Sequence, residues 1–555
     1  MKINLKKAMQ EDYVQVDVAE GTTLEALYRS LREEIPYPVL AGKVNYKMKS
    51  LTYPLTEPCN VELLDVRTPA VNLIYQNSLC VLYLKAIRDL MKTAKVHIQN
   101  SLNKGLYTEV RMPGPITDQQ VGKVEARMRE LVEADLPFGE AILNREESFA
   151  AFAELGLKEE ARNLRGKPEL QALRFHCLGG EKFFFYGISV PSTGYLKTFE
   201  LRKYRDGVLL RFPQAANPLE LAPYVDDKKM YAAFAEEARW QKLLDIGYVS
   251  DLNEKIAKGE IREVVQLSEA LHDKKIVEIA QAIQREEKRI ILIAGPSSSG
   301  KTTFARRLAI QLKVNGLKPI YLGTDDYFIN REDMPLDKNG EKDFEGFDAL
   351  EIDLFNKNMN ALLAGEVVDI PEFDFIEGKK KFGNRITSIK HNQPIIVEGI
   401  HALNGRLTEQ IPDRQIYKIY ISPLTQLAID EYNRIPTTDA RIFRRMVRDY
   451  KYRGHDAQGT IKSWPKVRAG EDKNIFPYNG EADAFFNSAH IYELAVLKKY
   501  AEPLLKKIKE TEPEYSEAVR LLKFLEFFNV LEEEQVIANN SIIREFIGGS
   551  VFVEE

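Results

Sequence analysis

The sequence has few cysteines and no long hydrophobic run. Its 555 residues include three cysteines, Cys59, Cys80 and Cys177. This odd, widely spaced set argues against a disulfide framework or a Cys-x-x-Cys metal site and favours buried thiols in a reducing compartment. No apolar stretch approaches the roughly eighteen residues that a membrane span needs, and residues 1–7 are amphipathic, unlike a signal peptide. We therefore expect a cytoplasmic protein without a membrane segment.

The chain also lacks a strong net charge. Its formal charge is −5, with 44% hydrophobic and 29% charged residues, which is ordinary for a globular protein. Such a balance gives no overall attraction to nucleic acid or to an anionic membrane, so any such binding would be local. The length is too great for one core, and two to four domains are expected.

A glycine-rich motif is the most informative stretch that is present. The apolar run Ile290–Ala294 leads into Gly295, Gly300, Lys301 and Thr302, which fit the spacing G-x-x-x-x-G-K-[ST], and a helical pattern follows. Backbone N–H groups of such a loop surround the phosphates of a nucleoside triphosphate, the lysine supplies positive charge, and Thr302 would hold Mg²⁺. The expected nucleotide contacts are Gly295, Ser297, Ser298, Ser299, Gly300, Lys301, Thr302 and Thr303.

Strand and helix patterns alternate from residue 285 to about 510. This alternation predicts an α/β domain with a doubly wound parallel sheet. Its four apolar strand segments are residues 290–294, 319–322, 394–397 and 416–421. Ligands of such sheets bind beyond the carboxyl ends of the strands.

Three carboxylates follow two of these strands. Asp325 and Asp326 come after the second strand segment, and Glu398 comes after the third. Phosphoryl transfer needs positioning, cationic support and a group that accepts the proton of the acceptor hydroxyl. We predict Asp325 as that base, with Asp326 as the alternative, and Glu398 as a residue that arranges Mg²⁺.

Arginines cluster in one helical stretch of this otherwise acidic chain. Spacings of three and four residues place several of them on one face, where they can stabilise developing phosphate charge. The arginines are Arg441, Arg444, Arg445, Arg448 and Arg453. A solvated charged helix and an RNA-binding strip are the alternatives.

These segments resemble the uridine kinase and phosphoribulokinase family. The matching motifs are residues 295–302, 324–328, 343–345, 371–375, 397–399 and 444–454. The resemblance implies ATP and Mg²⁺ as cofactors and catalytic roles for Lys301, Asp325, Arg448 and Arg453. It implies substrate contacts at Asp325, Phe328, Glu345, Phe373 and Phe375.

The chain departs from the family pattern around the acceptor. Glu345 stands where an aspartate is usual, Gly378 occupies the region of a base-reading histidine, and His455 replaces a lid arginine. Lysines at 379–381 add positive charge nearby. These departures leave ATP use intact, but they open the choice between a pyrimidine nucleoside and an anionic acceptor.

The first 215 residues resemble a different family. Alternation at Val14, Val16 and Val18, a helical segment at 24–31 and strands at 44–46 and 61–64 give a β-grasp-like pattern that is similar to the TGS domain of threonyl-tRNA synthetases. Residues 66–215 resemble the editing-type second domain of the same enzymes through residues 104–109, 115–138 and 190–194. The family's metal ligands would align with Asn77, Val81, Phe185 and Ser189, none of which is a strong Zn²⁺ ligand in that setting.

The predicted architecture is therefore a P-loop kinase preceded by a small β-grasp domain and an α+β synthetase-like domain. Its expected segments are 1–65 (TGS-like), 66–215 (synthetase-like, without metal ligands), 216–284 (helical connector), 285–510 (kinase) and 511–555 (helical tail). The tail should form a helix over 515–530 and pack onto the body or onto a partner subunit.

Two functions from different classes fit the sequence. The first is an ATP-dependent kinase that phosphorylates the 5′-hydroxyl of a ribonucleoside, with uridine or cytidine as first candidates. The alternatives are a kinase for another, anionic sugar acceptor and an RNA- or ribosome-associated ATP-binding module that contacts RNA through its front half. A homo-oligomer is compatible with each.

Overall fold

The computed structural model describes residues 1–336, 342, 346–425 and 427–553. The first 65 residues form a five-stranded sheet in the order β2-β1-β5-β3-β4, with β1 parallel to β5. The hydrophobic core beneath one helix includes Ile3, Leu24 and Val61. The elements are β1 (Lys2–Lys6), β2 (Val14–Asp17), α1 (Leu24–Ser30), β3 (Val39–Val44), β4 (Lys47–Ser50) and β5 (Asn60–Asp65).

The predicted strand at 44–46 is wrong. Val44 ends β3, and Asn45 and Tyr46 take positive φ values of 47° and 63° before β4 begins. Two consecutive residues of positive φ are typical of the tight turn in a β-hairpin. The apolar residues on either side therefore belong to two antiparallel strands and not to one.

The second domain packs long helices against two antiparallel sheets, β10-β9-β8 and β11-β12-β7-β6. Helix α2 is almost wholly buried because apolar residues cover most of its circumference, from Val71 to Ile87. The elements are α2 (Pro69–Leu90), β6 (Lys95–Leu102), β7 (Gly105–Arg111), α3 (Asp118–Glu133), β8 (Gly139–Asn144), α4 (Arg145–Leu155), α5 (Lys158–Arg165), β9 (Ala172–Leu178), β10 (Glu181–Phe183), β11 (Glu200–Tyr204) and β12 (Gly207–Arg211).

Three helices connect this domain to the kinase sheet. They are α6 (Lys228–Leu244), α7 (Val249–Ala257) and α8 (Ile261–Arg285). Residues Ile276, Ile279 and Ile283 of α8 recur at helical spacing and pack into the same core as the first helix of the kinase domain. The connector is therefore part of the kinase core as well as a link.

The kinase domain is a five-stranded parallel sheet with helices on both faces. Its strand order is β14-β19-β13-β20-β21, and β13 lies at the centre with all five residues buried. The sequence patterns did not predict the edge strand β21 or the short hairpins. The elements are β13 (Ile290–Ala294), α9 (Lys301–Val314), β14 (Ile320–Gly323), α10 (Ile352–Ala364), β15 (Val368–Asp369), β16 (Glu372–Asp374), β17 (Lys379–Lys381), β18 (Ile386–Thr387), β19 (Ile395–Glu398), β20 (Ile416–Ser422), α11 (Thr437–Arg453), α12 (Ala457–Asn474), β21 (Ala484–Asn487) and α13 (Glu493–Leu505).

The tail contains two helices, α14 (Tyr515–Leu525) and α15 (Arg544–Ile547). Helix α14 ends five residues before the predicted limit of 530. Leu521, Leu525 and Phe546 are buried in the kinase core. The tail thus packs onto the body of its own chain, which is one of the two predicted arrangements.

A loop of the kinase domain packs against the second domain. This kinase loop, residues 428–434, lies between β20 and α11. Ile98 donates its backbone N–H to the carbonyl of Glu431 at 2.9 Å, and the Asn433 amide donates to the Phe184 carbonyl at 3.2 Å. The ring of Tyr432 stacks on Phe185, with centroids 5.9 Å apart. The two halves of the chain are therefore joined by a packed interface.

Within the described part of the chain, helices of sufficient length and hydrophobicity to cross a bilayer do not occur.

Candidate phosphate-binding and acceptor site

The phosphate loop connects β13 to α9 in a conformation that needs its glycines. A Cβ atom on Gly295 would lie 2.1 Å from the carbonyl oxygen of Ile421, so no larger residue fits there. Gly300 has φ +81°, the left-handed conformation that glycine adopts without strain. Ser298 takes a positive φ of 59°, an uncommon conformation that clusters at functional loops.

Lys301 and Thr302 begin α9 and point toward the strand-end acids. The Lys301 ammonium donates to the carbonyl oxygens of Gly295 and Pro296 at 3.0 and 3.3 Å. Its pKa is lowered by burial, and this effect is partly offset by the nearby Glu398 carboxylate. The Thr302 hydroxyl donates to Oε1 of Glu398 at 3.0 Å. A hydroxyl and a carboxylate beside a phosphate loop are oxygen donors of the kind that Mg²⁺ prefers.

The register of the sheet brings the loop and the acids to one edge. Glu398 lies opposite Ile293 of β13 on one side and opposite Gly323 of β14 on the other. Loops that leave these strands at their carboxyl ends enclose a cavity of about 550 Å³. Its lining includes Ser297, Ser298, Ser299, Gly300, Lys301, Thr302, Tyr321, Asp325, Glu398, Arg445, Arg448, Arg453, Glu471 and Glu545.

Asp325 and Asp326 have different surroundings. Asp325 lines the cavity, and the Thr324 hydroxyl donates to its Oδ1 at 3.4 Å. Burial raises the pKa of Asp325, while the Lys301 charge acts in the opposite direction. Asp326 instead accepts from the Arg385 guanidinium at 2.7 Å and from the backbone N–H of Gly323 at 3.3 Å. Asp326 therefore has a structural partner, whereas Asp325 faces the phosphate loop.

Arg441, Arg444, Arg445 and Arg448 do not form one phosphate-binding face, contrary to the expectation from their spacing. Arg441 and Arg444 are fully buried behind the loop. Arg441 donates to the carbonyl of Ser297 at 2.9 Å and pairs with Glu471, and Arg444 pairs with Glu493. These two side chains can be buried because each guanidinium group is paired with a buried carboxylate.

The other three arginines line the cavity. Arg445 donates to the Ser297 hydroxyl at 2.9 Å, while Arg448 and Arg453 lie near the Asp449 carboxylate, at 2.9 and 3.5 Å. Arg448 and Arg453, the two arginines predicted to close over the phosphates, therefore both lie at the cavity. Both retain N–H groups that can turn toward an anion.

The predicted substrate aromatics form a separate cluster beside the cavity. Phe328 packs edge-to-face on Phe373 and Phe375, with centroids 5.7 and 6.4 Å apart. Phe373 is buried, and Phe375 is 60% exposed. None of the three lines the cavity as described, and Glu345 lies outside the described residues. The two remaining substrate-contact predictions are Asp325, which lines the cavity, and Glu345, which the structure does not describe.

The lysines at 379–381 do not offer unpaired positive charge. Lys381 pairs with Asp374 at 2.6 Å, Lys380 pairs with Glu351, and Lys379 lies 3.6 Å from Glu332. Each of these lysines therefore has a carboxylate partner with which an anionic acceptor would compete.

Several residues at the cavity were not predicted from the sequence. Tyr321 donates its hydroxyl to Glu398, and alternation along β14 places it on the same face as Gly323. That alternation is a signal that sequence reasoning could have used. Glu471 and Glu545 lie far along the chain from the loop, and no local pattern marks them.

The aligned editing positions of the second domain are enclosed by the chain itself. Val81, Phe185 and Ser189 are buried, and the Asn77 amide donates to the Tyr186 carbonyl at 3.1 Å. The stacking of Tyr432 on Phe185 covers this region from the kinase side.

A phosphate loop, strand-end carboxylates and a basic helix at one edge of a parallel sheet define a P-loop phosphotransferase fold. Residues 290–495 match the model of the phosphoribulokinase/uridine kinase family. The C-terminal half of the chain is therefore similar to this family, which confirms the resemblance drawn from its motifs.

The front of the chain matches another group of proteins. It is 31% identical over 185 residues to threonine–tRNA ligase 1 of Bacillus subtilis and 29% identical over 201 residues to the threonine–tRNA ligase of Desulforamulus reducens. The matches cover 33% and 36% of this chain, and 29% and 31% of the ligases. The chain thus spans less than a third of the length of these relatives, and the likeness to a synthetase is confirmed for this region.

Two solved structures are similar to parts of this chain at low sequence identity. A possible uridine kinase from Bacillus stearothermophilus is 19% identical, with a TM-score of 0.22, and covers 26% of this chain and 79% of its own. D-glycerate 3-kinase from Cryptococcus neoformans is 12% identical, with a TM-score of 0.20, and covers 47% and 89%. Neither likeness is close enough to transfer a substrate.

Proposed function

We propose that the protein is an ATP-dependent kinase that transfers the γ-phosphoryl group to the 5′-hydroxyl of a ribonucleoside, with uridine and cytidine as the first candidates. The observation that carries this proposal is the shared cavity: Asp325 and the Lys301 loop line the same space of about 550 Å³. A phosphoryl donor and an acceptor hydroxyl need this arrangement of a cationic cradle facing a base.

The residues of the cavity have different roles in the proposed reaction. Backbone N–H groups of the loop and the Lys301 ammonium hold the phosphates, and Arg448 and Arg453 neutralise charge that develops on the transferred group. Thr302 and Glu398 would hold Mg²⁺, which supplies charge neutralisation between the phosphates when it is bound. Asp325 orients the acceptor hydroxyl and accepts its proton as the new P–O bond forms.

A neutral acceptor is favoured over an anionic one. The charges of Lys379, Lys380 and Lys381 are already matched by carboxylates. The aromatic cluster of Phe328, Phe373 and Phe375 adjoins the segment that carries Asp325 and offers a partly exposed ring face on which a planar base can pack. A nucleoside uses both features, because it carries a base and an uncharged ribose.

An ADP-release assay with a panel of nucleosides and sugar phosphates tests the proposal. We expect turnover of a nucleoside with Mg²⁺ and ATP, and loss of kcat by about 10²- to 10⁴-fold in Asp325→Asn. Lys301→Ala should abolish turnover. Asp326→Asn is the matched control, and it should keep kcat within the range of wild type because Asp326 pairs with Arg385 outside the cavity. Normal turnover by Asp325→Asn would refute the mechanism.

The RNA-associated alternative can be tested with the same purified protein in a tRNA filter-binding assay. Its support is the likeness of the front half to threonine–tRNA ligases. Against it, the kinase loop 428–434 packs onto the second domain at Phe184 and Phe185. Salt-sensitive retention of tRNA on a filter, with no turnover of any acceptor, would favour this alternative.

A further inference from the structure

The carboxyl-terminal segment 541–548 returns to the phosphate loop from the far end of the chain. Ile542, Ile543 and Phe546 are buried in the kinase core, and a Cβ on Gly300 would lie 2.5 Å from Cγ2 of Ile542. Lys451 of α11 donates to the carbonyl of Ile547 at 3.1 Å. The segment therefore forms a fixed wall beside the phosphate loop.

Glu545 projects from this wall onto the start of α9. Its Oε2 accepts from the Thr303 hydroxyl at 2.7 Å and from the Thr303 backbone N–H at 3.3 Å. Within the described residues, both hydrogen bonds recorded for this carboxylate come from Thr303. Glu545 also lines the cavity that holds Lys301 and Asp325.

These two donors are the groups that a phosphate would use. Thr303 lies in the first turn of α9, where backbone N–H groups have no partner within the helix and the helix dipole favours negative charge. A phosphate loop followed by a helix is an anion site for this reason. In the chain as folded, the anion at that position is a carboxylate of the protein.

The surrounding charges fit the same interpretation. Burial lowers the pKa of Lys301, and the carboxylates of Glu398, Glu545 and Glu471 partly offset this effect. Glu471 has its own cationic partner, the buried Arg441. Glu545 differs from Glu471 in that it accepts its hydrogen bonds from Thr303 of the phosphate-binding helix.

We propose that Glu545 is an internal competitor for the nucleotide, whose carboxylate occupies the phosphate position at Thr303 and leaves it when a phosphate binds. Because the backbone of 541–548 is packed into the core, the exchange involves rotation of the Glu545 side chain and not release of the tail. The residue therefore sets the affinity for phosphate-bearing ligands. This inference rests on the proposed binding of a nucleoside triphosphate.

Binding of ATP and of adenosine to the full chain tests the inference by titration calorimetry. Glu545→Gln keeps the shape but removes the charge, and Glu545→Ala empties the position. We expect both variants to bind ATP about 3- to 30-fold more tightly than wild type, the range of helix N-terminus charge effects. Adenosine, which has no phosphate, should bind wild type and variants equally.

Glu533→Gln is the matched control, since it removes one charge from an exposed glutamate of the same tail. It should leave the affinity for ATP unchanged. Thermal unfolding of each variant checks that the buried segment remains docked. If both folded Glu545 variants bind ATP as the wild type does, or more weakly, the inference is overturned and the proposed function is not. If neither the wild type nor any variant binds ATP, both the proposed function and this inference are overturned.

Discussion

Asp325 and Asp326 are neighbours in sequence, yet only one of them faces the phosphate loop. The 3₁₀ turn that follows β14 sends Asp326 toward Arg385 and leaves Asp325 on the cavity side. The sequence left the choice of base open between them. The geometry supports Asp325 because it lines the cavity, whereas Arg385 holds the Asp326 carboxylate outside it at 2.7 Å.

The pH dependence of turnover follows from the same residue. Burial raises the pKa of Asp325 above its ordinary value of 3.8, and burial also raises the pKa of Glu398 above 4.5. A raised pKa keeps the proton on the carboxyl group to higher pH, where the group can neither accept a proton nor hold a cation. We therefore expect kcat/KM to fall on acidification with a midpoint above 3.8, measured as a pH–rate profile at saturating Mg²⁺.

A circular dichroism spectrum at each pH separates this effect from unfolding. An acid limb at or below the ordinary value of an aspartate, with the fold intact, would contradict the assignment of Asp325 as base.

Helix α11 shows how one charged helix serves two purposes. Arg441 and Arg444 face inward and hold the carbonyls of Ser297 and Ser298, at 2.9 and 3.3 Å, so that the loop keeps its shape. Arg445, Arg448 and Arg453 face the cavity. The division follows the helix surface, because the inward positions meet buried carboxylates and the other positions meet the cavity.

Substitution separates the two roles. Arg444→Met should lower the free energy of unfolding by about 3–5 kcal/mol, because it leaves the buried Glu493 carboxylate without its charge partner. Arg448→Met should cost less than about 1 kcal/mol and mainly lower kcat, since Asp449 retains Arg445 and Arg453 nearby. Urea unfolding and steady-state kinetics measure the two effects.

A second substitution tests the cause of the Arg444 effect. Arg444→Met combined with Glu493→Met should recover part of the lost stability, because apolar side chains replace both charges. Equal stability losses in Arg444→Met and Arg448→Met would contradict the division of α11.

At the scale of the whole molecule, the kinase loop 428–434 joins the halves through a buried cluster of acids. Glu160 of α5 lies beside Asp430 and Glu431, and Glu160 and Asp430 are almost completely buried. Burial and mutual repulsion raise the pKa of Glu160 and of Asp430. Because this loop leads into α11, the interface also fixes the start of the helix that borders the cavity.

Stability should therefore decrease as the pH rises. A raised pKa means that the folded state binds protons more tightly than the unfolded chain, so the stabilisation is present at low pH and is lost as the acids ionise. We expect the unfolding temperature to decrease as the pH rises from the ordinary range of a carboxyl group to about 7, the raised pKa of Asp430. Glu160→Gln should flatten this dependence. Differential scanning calorimetry of both proteins measures the slopes.

Glu154→Gln, at an exposed position of the neighbouring helix α4, is the control and should keep the wild-type slope. An identical slope in Glu160→Gln and wild type would show that the cluster does not titrate as inferred.

The sequence alone determined the features that depend on neighbouring residues. The motif from Gly295 to Thr302, the buried strand before it and the acids at strand ends follow from local spacing, because a strand, a turn and a helix are each specified within a few residues. The parallel sheet and the two family resemblances could be predicted from the same patterns. The missed strand β21 and the mistaken strand at 44–46 show where short apolar runs are ambiguous.

Only the tertiary structure decided which distant residues share the cavity. Glu545 meets Thr303 across 242 positions of the chain, and Arg441 and Arg444 turn inward although their spacing matches that of outward arginines. The Asn433 amide meets Phe184 across 249 positions. These contacts depend on how whole apolar faces pack against one another, and the periodicity of a single segment carries no information about the partner that its face will bury.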